Sequence, residues 1–456
     1  MNDRRSRPLA ILISVLLLGG SSAQAWRWGL PGQLTTTPEN SLLPSYGTGF
    51  AGMNGHVHVL YSDWSRGEQV VYYLRSSDGG MNWQPPVVVE DRSMNSTFSV
   101  AADSSGDVHV VNRRYSDFAL YYRRSTDNGA AWDSAVLVSA TCENVLLLSN
   151  RQSNVYIFNV VPGLPPALEM HKSTDGGANW AQGARVLYSE GFSNLCGFAA
   201  GGGAIDVFYC WGGAGSSTVY RVRSTDDGAT WSDETRVRGI PTNSSVRGAW
   251  RNGDLVFLAT TTWEDTVNFR RSTDGGDTWQ SGQRLPVLVN SVAWSQDGAA
   301  HAVGTRADTE VVWLMSTNQG ATWTAPVPIS GHEHGYRASP YIGADAEYRL
   351  NAVWNSSETG NWEVFTTFAD TTGIAEPAGG PLSPVCMGVF PNPARGVVQF
   401  GGTSGAVLFD RDGRRVAELK SGANDVSHLA PGIYFVRSAS SAGRGASSVR
   451  KVIIAR

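Results

Sequence analysis

The chain repeats one eight-residue phrase, Ser-x-Asp-x-Gly-x-x-Trp, at nearly even intervals. Between copies, apolar and polar residues alternate in short runs that glycine and aspartate clusters separate, which predicts four short strands per repeat. A repeat of this length built from short strands indicates a β-propeller, so we predict an all-β fold. The third position of the phrase, 44 to 51 residues apart along the chain, is occupied by Asp78, Asp127, Asp175, Asp226, Asp274 and, in a variant copy, Asn318.

The number of repeats points to how the ring closes. Six repeats carry the phrase, whereas a seventh unit over 349–368 has the second and third strands but neither the phrase nor a fourth strand. Residues 33–37 form an extra strand ahead of the first repeat. If that strand pairs with the last unit, no sheet edge is left open. We therefore predict a seven-bladed propeller over residues 26–372, with a six-bladed ring as the alternative.

Both ends of the chain differ from the repeats. Arg4, Arg5 and Arg7, an apolar run over 9–18 and small residues up to Ala25 predict a signal peptide over 1–25. The apolar run is too short to span a bilayer as a helix. Residues 373–384 are rich in Gly, Pro, Ala and Thr and predict a linker. Short strands over 385–456 then predict a small Ig-like β-sandwich.

Composition excludes some classes of function. The 456 residues carry a formal net charge of −4, which does not favour nucleic-acid binding. Four cysteines fit neither a disulfide-stapled scaffold nor a metal set, and His332-x-His334 alone is a weak metal signal. We predict no metal and no cofactor. Cys196 and Cys210 form a disulfide or remain buried free thiols, and the sequence leaves both open.

The repeated phrase resembles the Asp box of the sialidase superfamily and related BNR-repeat propellers. The resemblance implies that the boxes join third and fourth strands, away from the catalytic mouth, and that their six Asp or Asn residues are structural. Sialidases carry an arginine triad that begins in an Arg-Ile-Pro motif, which this chain lacks. Only Arg247 and Arg337 lie near the starts of innermost strands. Sialidase activity is therefore not the favoured prediction.

The C-terminal segment resembles the type A sorting domain of the type IX secretion system. The resemblance rests on Phe390-Pro391-Asn392-Pro393, on the run from Ala430 to Phe435 and on the basic Lys451 near the end. It implies export through the inner membrane with the signal peptide, recognition by the type IX machinery, and delivery outside the cell or to its surface.

Candidate ligand-binding residues recur where the innermost strands begin. Asparagines stand there in five repeats and would form a ring of amides with Arg337 as its charge, although asparagine also suits a turn for local reasons. The hairpins between second and third strands open on the same face and combine tryptophans with charged residues, which suits sugar rings. The predicted set is Asp63, Trp64, Asn95, Asn144, Asn194, Trp211, Asn243, Trp263, Glu264, Asp265, Asn290, Asp308 and Arg337.

We predict a secreted or cell-surface propeller that binds a glycan or a surface protein through this face. The alternative is an exo-acting, sialidase-like glycoside hydrolase with a non-standard pair of carboxylates. That pair would come from Asp63, Glu264, Asp265, Asp308 and Glu358, and we assign no catalytic residue. A cell-surface structural protein without a small ligand is the third hypothesis, since a fold alone does not license an activity.

Overall fold

The computed structural model describes a chain made of strands and turns. It forms two compact units, Ile13–Gly373 and a second that includes Ile374–Arg456. The described residues contain no helix, and thus none long and apolar enough to cross a membrane. They are 26–29, 31–44, 48–64, 69–91, 93–114, 116–150, 153–189, 191–199, 202–211, 217–262, 267–295, 297–307, 309–330, 337–344, 349–370, 389–390, 397–400, 406–410, 414–420, 422–438 and 449–454.

The described residues of the first unit form seven antiparallel sheets, six of them built from four strands that follow one another along the chain. Strands β1 (Arg27–Trp28) and β2 (Gly32–Gln33) precede the first sheet. Sheet 1 comprises β3 (Phe50–Met53), β4 (His56–Asp63), β5 (Val70–Ser76) and β6 (Val87–Glu90); sheet 2 comprises β7 (Ser93–Ala102), β8 (Val108–Arg114), β9 (Leu120–Ser125) and β10 (Val136–Ser139). Sheet 3 comprises β11 (Val145–Ser149), β12 (Val155–Val161), β13 (Ala167–Ser173) and β14 (Ala184–Tyr188).

The remaining four sheets repeat this order. Sheet 4 comprises β15 (Ser193–Ala199), β16 (Ile205–Trp211), β17 (Thr218–Ser224) and β18 (Thr235–Arg236). Sheet 5 comprises β19 (Ser244–Asn252), β20 (Leu255–Thr262), β21 (Val267–Ser272) and β22 (Gln283–Arg284). Sheet 6 comprises β23 (Leu288–Trp294), β24 (Ala300–Arg306), β25 (Glu310–Ser316) and β26 (Val327–Pro328), and sheet 7 comprises β27 (Arg337–Ala344), β28 (Arg349–Ser356) and β29 (Glu363–Asp370).

The N-terminal strands complete sheet 7. Strand β1 pairs with β29 through Arg27 and Asp370, and β2 pairs with it through Gly32 and Thr366. The prediction that an N-terminal strand joins the last unit is confirmed, but its predicted bounds of 33–37 were wrong. Beyond β2, a side chain of β29 holds the N-terminal segment. The buried Glu363 carboxylate accepts a hydrogen bond from the hydroxyl of Thr35 and another, at 2.9 Å, from the backbone N–H of Thr37.

The hydrophobic core lies between the sheets. Each first strand contacts the first strand of the following sheet, and β27 contacts β3. A cluster of buried side chains fills each of the seven spaces between consecutive sheets, including the space where Val353 of sheet 7 meets Val57 of sheet 1. Sheets that pack face to face around a ring form the arrangement of a β-propeller.

The repeated box is a hydrogen-bonded turn between the third and fourth strands. In sheet 3, Ser173 Oγ donates to Asp175 Oδ1 at 2.8 Å and accepts the N–H of Gly177 at 2.8 Å. Asp175 Oδ1 also accepts the N–H of Asn179 at 2.9 Å. In the variant box the Asn318 carboxamide oxygen accepts the Thr322 N–H in the same way, at 2.9 Å. An amide therefore performs the acceptor role of the carboxylate there.

The second unit contains two small antiparallel sheets. Leu408 and Val436 lie at the centre of its buried cluster. Its strands are β30 (Val389–Phe390), β31 (Val397–Phe400), β32 (Ala406–Asp410), β33 (Arg415–Leu419), β34 (Gly422–Asp425), β35 (Gly432–Ser438) and β36 (Val449–Ile454), in the orders β30-β31-β34 and β33-β32-β35-β36.

Candidate functional site

The sheets of the first unit present two chemically different ends. At one end, which we call the box end, lie the Asp-box turns and the turns between first and second strands. At the other, the hairpin end, lie the starts of the first strands and the hairpins between second and third strands. Antiparallel pairing sets this division, since in sheet 4 Ser193 pairs with Cys210 and Trp211 pairs with Thr218 at the same end.

The box carboxylates accept hydrogen bonds within their own turns, and basic side chains bond across to the box of the next sheet. Side-chain and backbone donors of Asn179 lower the pKa of Asp175 to about 2, and those of Thr230 do the same for Asp226. Arg124 of sheet 2 donates to the carbonyl of Gly176 in the box of sheet 3 at 3.1 Å. A carboxylate that already accepts several N–H bonds has little capacity left for a ligand.

The box tryptophans fill the spaces between sheets. Trp132 of sheet 2 packs edge-on against Tyr73 of sheet 1 with ring centroids 4.9 Å apart, and Trp180 packs against Tyr122 in the same way at 4.7 Å. Trp231 repeats the contact with Phe158 at 5.7 Å. These rings are half-buried and hold neighbouring sheets together.

The first strands pair irregularly with the second strands at the hairpin end, whereas the turns of the box end repeat one pattern. Register shifts interrupt five of the first strands near their starts, between Ser93 and Phe98, Ser193 and Cys196, Val246 and Gly248, Val289 and Ser291, and Ala338 and Tyr341. Bulges of this kind bend a strand and redirect its side chains, and they are common beside binding sites. The sequence pattern did not reveal them, because a bulge changes the register without changing composition.

Polar residues occupy these bulges. Asn194 and Ser339 adopt left-handed backbone conformations, with φ of 49° and 50°. Asn95, Arg247 and Asn290 lie within the other three shifts. Arg247 is exposed, and its Nε donates to Thr261 Oγ1 at 3.1 Å.

The local structure accounts for some of the five asparagines predicted at the starts of the first strands, but not for all of them. Asn243 is left-handed, with φ of 68°, which asparagine tolerates better than most residues. Asn144 uses its carboxamide oxygen to accept the N–H of Val145 at 2.9 Å. The carboxamide oxygens of Asn243 and Asn290 are buried and accept no hydrogen bond from the described part of the chain. The structure thus gives turn roles to some of these residues and leaves unused acceptors on others.

The predicted hairpin residues are not all accessible. Asp63 ends β4 with its side chain 1 % exposed, so this carboxylate lies inside the sheet and not on its rim. Trp211 is half-buried, and its ring meets that of Tyr220 at 6.1 Å. Trp64, next to Asp63, is 48 % exposed. Arg337 begins β27, and Trp263, Glu264, Asp265 and Asp308 lie outside the described residues.

Accessible apolar side chains occur at the hairpin end of sheets 1 to 3. Trp64 follows β4, Phe118 lies in the hairpin between β8 and β9, and Leu164 lies in the hairpin between β12 and β13. Tyr188 ends β14 opposite Ala167, next to the same hairpin as Leu164. The sequence reading missed Phe118, Leu164 and Tyr188 because it considered only tryptophans as sugar-stacking groups.

The charged groups of this end are mostly paired. Arg114 donates to Glu90 at 3.2 Å across the boundary between sheets 2 and 1, and its guanidinium lies 3.6 Å from the centre of the Tyr121 ring. The Tyr121 hydroxyl donates to Asp117 at 2.8 Å, and this hydrogen bond raises the pKa of Tyr121. No group of three or more metal-ligating side chains occurs among the residues described.

Family matches agree with the two units. Residues 165–335 match the BNR repeat-like domain, and residues 388–455 match the secretion system C-terminal sorting domain. The chain carries a BNR-repeat domain and a C-terminal sorting domain. The sorting domain indicates export by type IX secretion, to the cell surface or beyond it. No curated protein matches the chain.

Solved structures align with the chain at low sequence identity, and one of them, with a TM-score above 0.5, shares its fold. A polysaccharide lyase, an ulvan lyase, aligns with a TM-score of 0.52 and 11 % identity, over 74 % of this chain and 95 % of its own. A Hadza microbial sialidase aligns with a TM-score of 0.46 and 14 % identity, over 69 % and 73 % of the two chains. The fucose-specific lectin of Aleuria aurantia aligns with a TM-score of 0.45 and 12 % identity, over 64 % and 98 %. Identities this low show a fold and no activity.

Proposed function

We propose that the protein is an exported glycan-binding propeller whose ligand contacts the hairpin end. The observation that carries this proposal is the contrast between the two ends. Hydrogen bonds within and between sheets occupy the box carboxylates, whereas the hairpin end exposes Trp64 and Tyr188 and carries the amide of Asn194 and the exposed Arg247 in its bulges. Apolar ring faces beside amide and charged groups are what a sugar requires, since it has apolar ring surfaces and polar edges.

The proposal includes the architecture that presents this end. We infer seven blades, one for each sheet, with β1 and β2 supplying the outer edge of the last. Support comes from the buried cluster between each pair of consecutive sheets and from the contact of β27 with β3. The propeller would cover 26–372, followed by a linker over 373–384 and an Ig-like sorting domain over 385–456.

The proposed route to the outside has two steps. The signal peptide over 1–25 would direct the chain through the inner membrane and be removed before Trp26. The type IX secretion machinery would then be the partner of the sorting domain. A glycan of the cell surface or of the surroundings would be the ligand, with a surface protein as the competing partner.

A glycoside hydrolase remains the alternative function, but the structure weakens one of its candidate residues. Asp63 is 1 % exposed and therefore does not reach a substrate from the inside of sheet 1. Glu358, in the hairpin between β28 and β29, is partly exposed. A hydrolase requires two carboxyl groups about 5 to 10 Å apart across the substrate.

A glycan array and a panel of fluorogenic glycosides test the proposal together. We expect the purified mature chain to bind one group of glycans without releasing product. Trp64→Ala should weaken that binding, while Leu137→Ala, which removes a similarly exposed apolar side chain from the outer strand β10, should leave it unchanged. Turnover would support the hydrolase instead, and the absence of both binding and turnover would contradict the proposal.

A further inference from the structure

Among the described residues, exposed apolar side chains are unevenly distributed around the ring. All large hydrophobic residues of this part of the chain that are more than about a third exposed lie between Trp64 and Tyr188, in sheets 1 to 3. The hairpins of sheets 4 and 5 over 212–216 and 263–266 lie outside the described residues, and the described residues of sheets 4 to 7 include no such side chain. Exposed apolar surface that gathers in one sector marks a contact site more often than isolated residues do.

Within that sector, one residue per sheet projects from an equivalent place. Trp64, Phe118 and Leu164 occupy the hairpins between second and third strands of three consecutive sheets. Tyr188 stands next to the third hairpin, at the end of the outer strand. Because the sheets follow one another around the ring, these side chains form a row along the rim and do not surround the central mouth.

The row is held in place by the backbone. Phe118 has a φ of 59°, a left-handed conformation that is costly for a bulky residue. Its hairpin is fixed because the Phe118 carbonyl accepts the N–H of Cys142, and the Ala119 carbonyl accepts the N–H of Arg114 at 2.9 Å. Leu164 lies between Pro162 and Pro165, whose rings restrict the chain. A ligand would lose little free energy in ordering such a surface.

Guanidinium groups accompany the aromatic rings. Arg113 lies 5.0 Å from the centre of the Phe118 ring, and Arg185 lies 4.3 Å from the centre of the Tyr188 ring. The Phe118 and Tyr188 rings thus each have a guanidinium group over the ring. A protein partner would favour one contiguous apolar patch with a polar rim. Separate rings carried on three sheets, two of them combined with N–H donors, suit a chain of repeating units with alternating apolar faces and hydroxyl edges.

We propose that the row formed by Trp64, Phe118, Leu164 and Tyr188 is a platform for an extended polysaccharide that spans three blades. This inference rests on the proposed glycan binding and adds the class of ligand: a chain of several sugar units that lies along the rim, in place of a single terminal sugar in the central mouth. Trp64, Phe118 and Tyr188 would each stack on one sugar unit, Leu164 would contact an apolar sugar face, and Arg113 and Arg185 would donate to hydroxyl or ring oxygens.

The length of the oligosaccharide is the variable that tests the proposed platform. The full mature protein is titrated with an oligosaccharide series of two to ten units, prepared from the glycans that bind on the array. We expect affinity to rise with length until the oligosaccharide spans the row. Trp64→Ala and Tyr188→Ala should each weaken binding of the longest member about tenfold, which corresponds to about 1.4 kcal/mol, and should leave the shortest member unchanged.

Two controls separate stacking from folding and from the proposed function. Trp64→Phe keeps an aromatic ring and should retain most of the affinity, and Leu137→Ala should change nothing although Leu137 is comparably exposed. Equal affinity for short and long oligosaccharides overturns the platform and leaves glycan binding at the hairpin end intact. Full binding by the Trp64→Ala and Tyr188→Ala proteins overturns both the platform and the placement of the ligand beside Trp64, while glycan binding itself stands. If the chain binds a surface protein and none of the glycans on the array, both the platform and the proposed glycan binding are overturned.

Discussion

Arg271 in β21 donates from Nη1 to the carbonyl oxygen of Gln319 at 3.0 Å and so ties sheet 5 to the box turn of sheet 6. The same link recurs around the ring. Arg75, Arg124 and Lys172, which also stand directly before a box serine, donate to box carbonyls of the following sheet at 3.3, 3.1 and 2.9 Å. A buried or partly buried carbonyl without such a donor would cost free energy.

Sheet 6 is the exception, since it has no basic residue at this position, and the reason is structural. Met315 stands directly before the box serine of sheet 6, where the other boxes have arginine or lysine. The following sheet, sheet 7, has no box turn to receive a donor. Sheet 7 reaches the first box with a different residue, since Arg349 of β28 donates to the carbonyl of Asp78 at 3.0 Å. The basic residue is therefore present where the next sheet offers a carbonyl and absent where it does not.

Replacing Arg271 with methionine should lower the free energy of unfolding by about 0.5 to 1.5 kcal/mol, because the hydrogen bond to Gln319 is lost at a partly exposed site together with the one that Nε donates to Gln280 Oε1 at 2.6 Å. Arg284→Met is the matched control, since Arg284 is an exposed arginine to which no hydrogen bond is assigned in the described chain. Urea unfolding followed by tryptophan fluorescence measures both. Equal effects of the two substitutions would show that the link to Gln319 contributes nothing.

The fifth position of each box is a glycine, and at Gly129 the neighbouring sheet leaves no room for a side chain. Gly129 has a φ of 82°, and a Cβ there would fall inside the van der Waals radius of the Tyr73 hydroxyl. Tyr73 has no space to retreat, because its hydroxyl is bonded to His58 Nδ1 at 2.6 Å and its ring packs against Trp132. Both the left-handed backbone and the close approach therefore require glycine.

Gly129→Ala should destabilise the protein by about 3 kcal/mol or more, and Gly253→Ala by only about 1 kcal/mol. Gly253 also has a positive φ, 60°, but a Cβ there has open space around it. The difference between the two variants isolates the contact with Tyr73 from the backbone strain. Thermal and urea unfolding of both proteins give this difference, and a value near zero would mean that the sheets separate easily at this point.

Much of the fold could be predicted from the sequence because the repeat is local. The box residues that bond to one another, such as Asp175 and Asn179, are only four positions apart. The links between sheets could not be predicted in the same way, because Arg271 and Gln319 are 48 positions apart and the pattern does not show which carbonyl the arginine meets.

The candidate site was harder to predict, since exposure depends on what neighbouring sheets cover. Asp63 and Trp64 are adjacent in sequence, yet one is buried and the other half-exposed. Trp362 lies in the hairpin between β28 and β29, yet the N-terminal segment lies against it, where the Trp362 backbone N–H donates to Asn40 Oδ1 at 2.9 Å. Composition marks loop residues in general and does not show which of them the returning chain covers.

The few N-terminal residues around β1 should make a large contribution to the free energy of unfolding. Trp26 is 5 % exposed, meets His301 at a ring distance of 4.8 Å and packs in the cluster between sheets 6 and 7. Trp26→Ala in the purified mature chain should lower the free energy of unfolding by about 3 to 5 kcal/mol, whereas Trp64→Ala should change it by less than about 0.5 kcal/mol. Urea unfolding measures both, and similar small losses would show that the closing strands are dispensable.

Buried histidines should make the first unit less stable in mild acid. Burial lowers the pKa of His301 from 6.5 to about 3, and burial together with His56 and Arg75 lowers that of His58 to about 3. The unfolded chain then binds more protons than the folded one between pH 6.5 and pH 3. Stability should be fully present above pH 6.5 and fall as the pH decreases through this window, by about 1.4 kcal/mol per pH unit for each histidine.

His301→Gln offers a test within the range from pH 6 to pH 4.5, above the window in which the box aspartates titrate. Both ring nitrogens of His301 make hydrogen bonds: Nε2 with Ser295 Oγ at 2.8 Å, and Nδ1 as the acceptor of the Trp313 indole N–H at 3.3 Å. Glutamine keeps a polar group at this position but has no proton that titrates. The slope of unfolding free energy against pH should decrease by about 1.4 kcal/mol per unit, even if overall stability is lower. An unchanged slope would mean that His301 is protonated as readily in the folded chain as in the unfolded one.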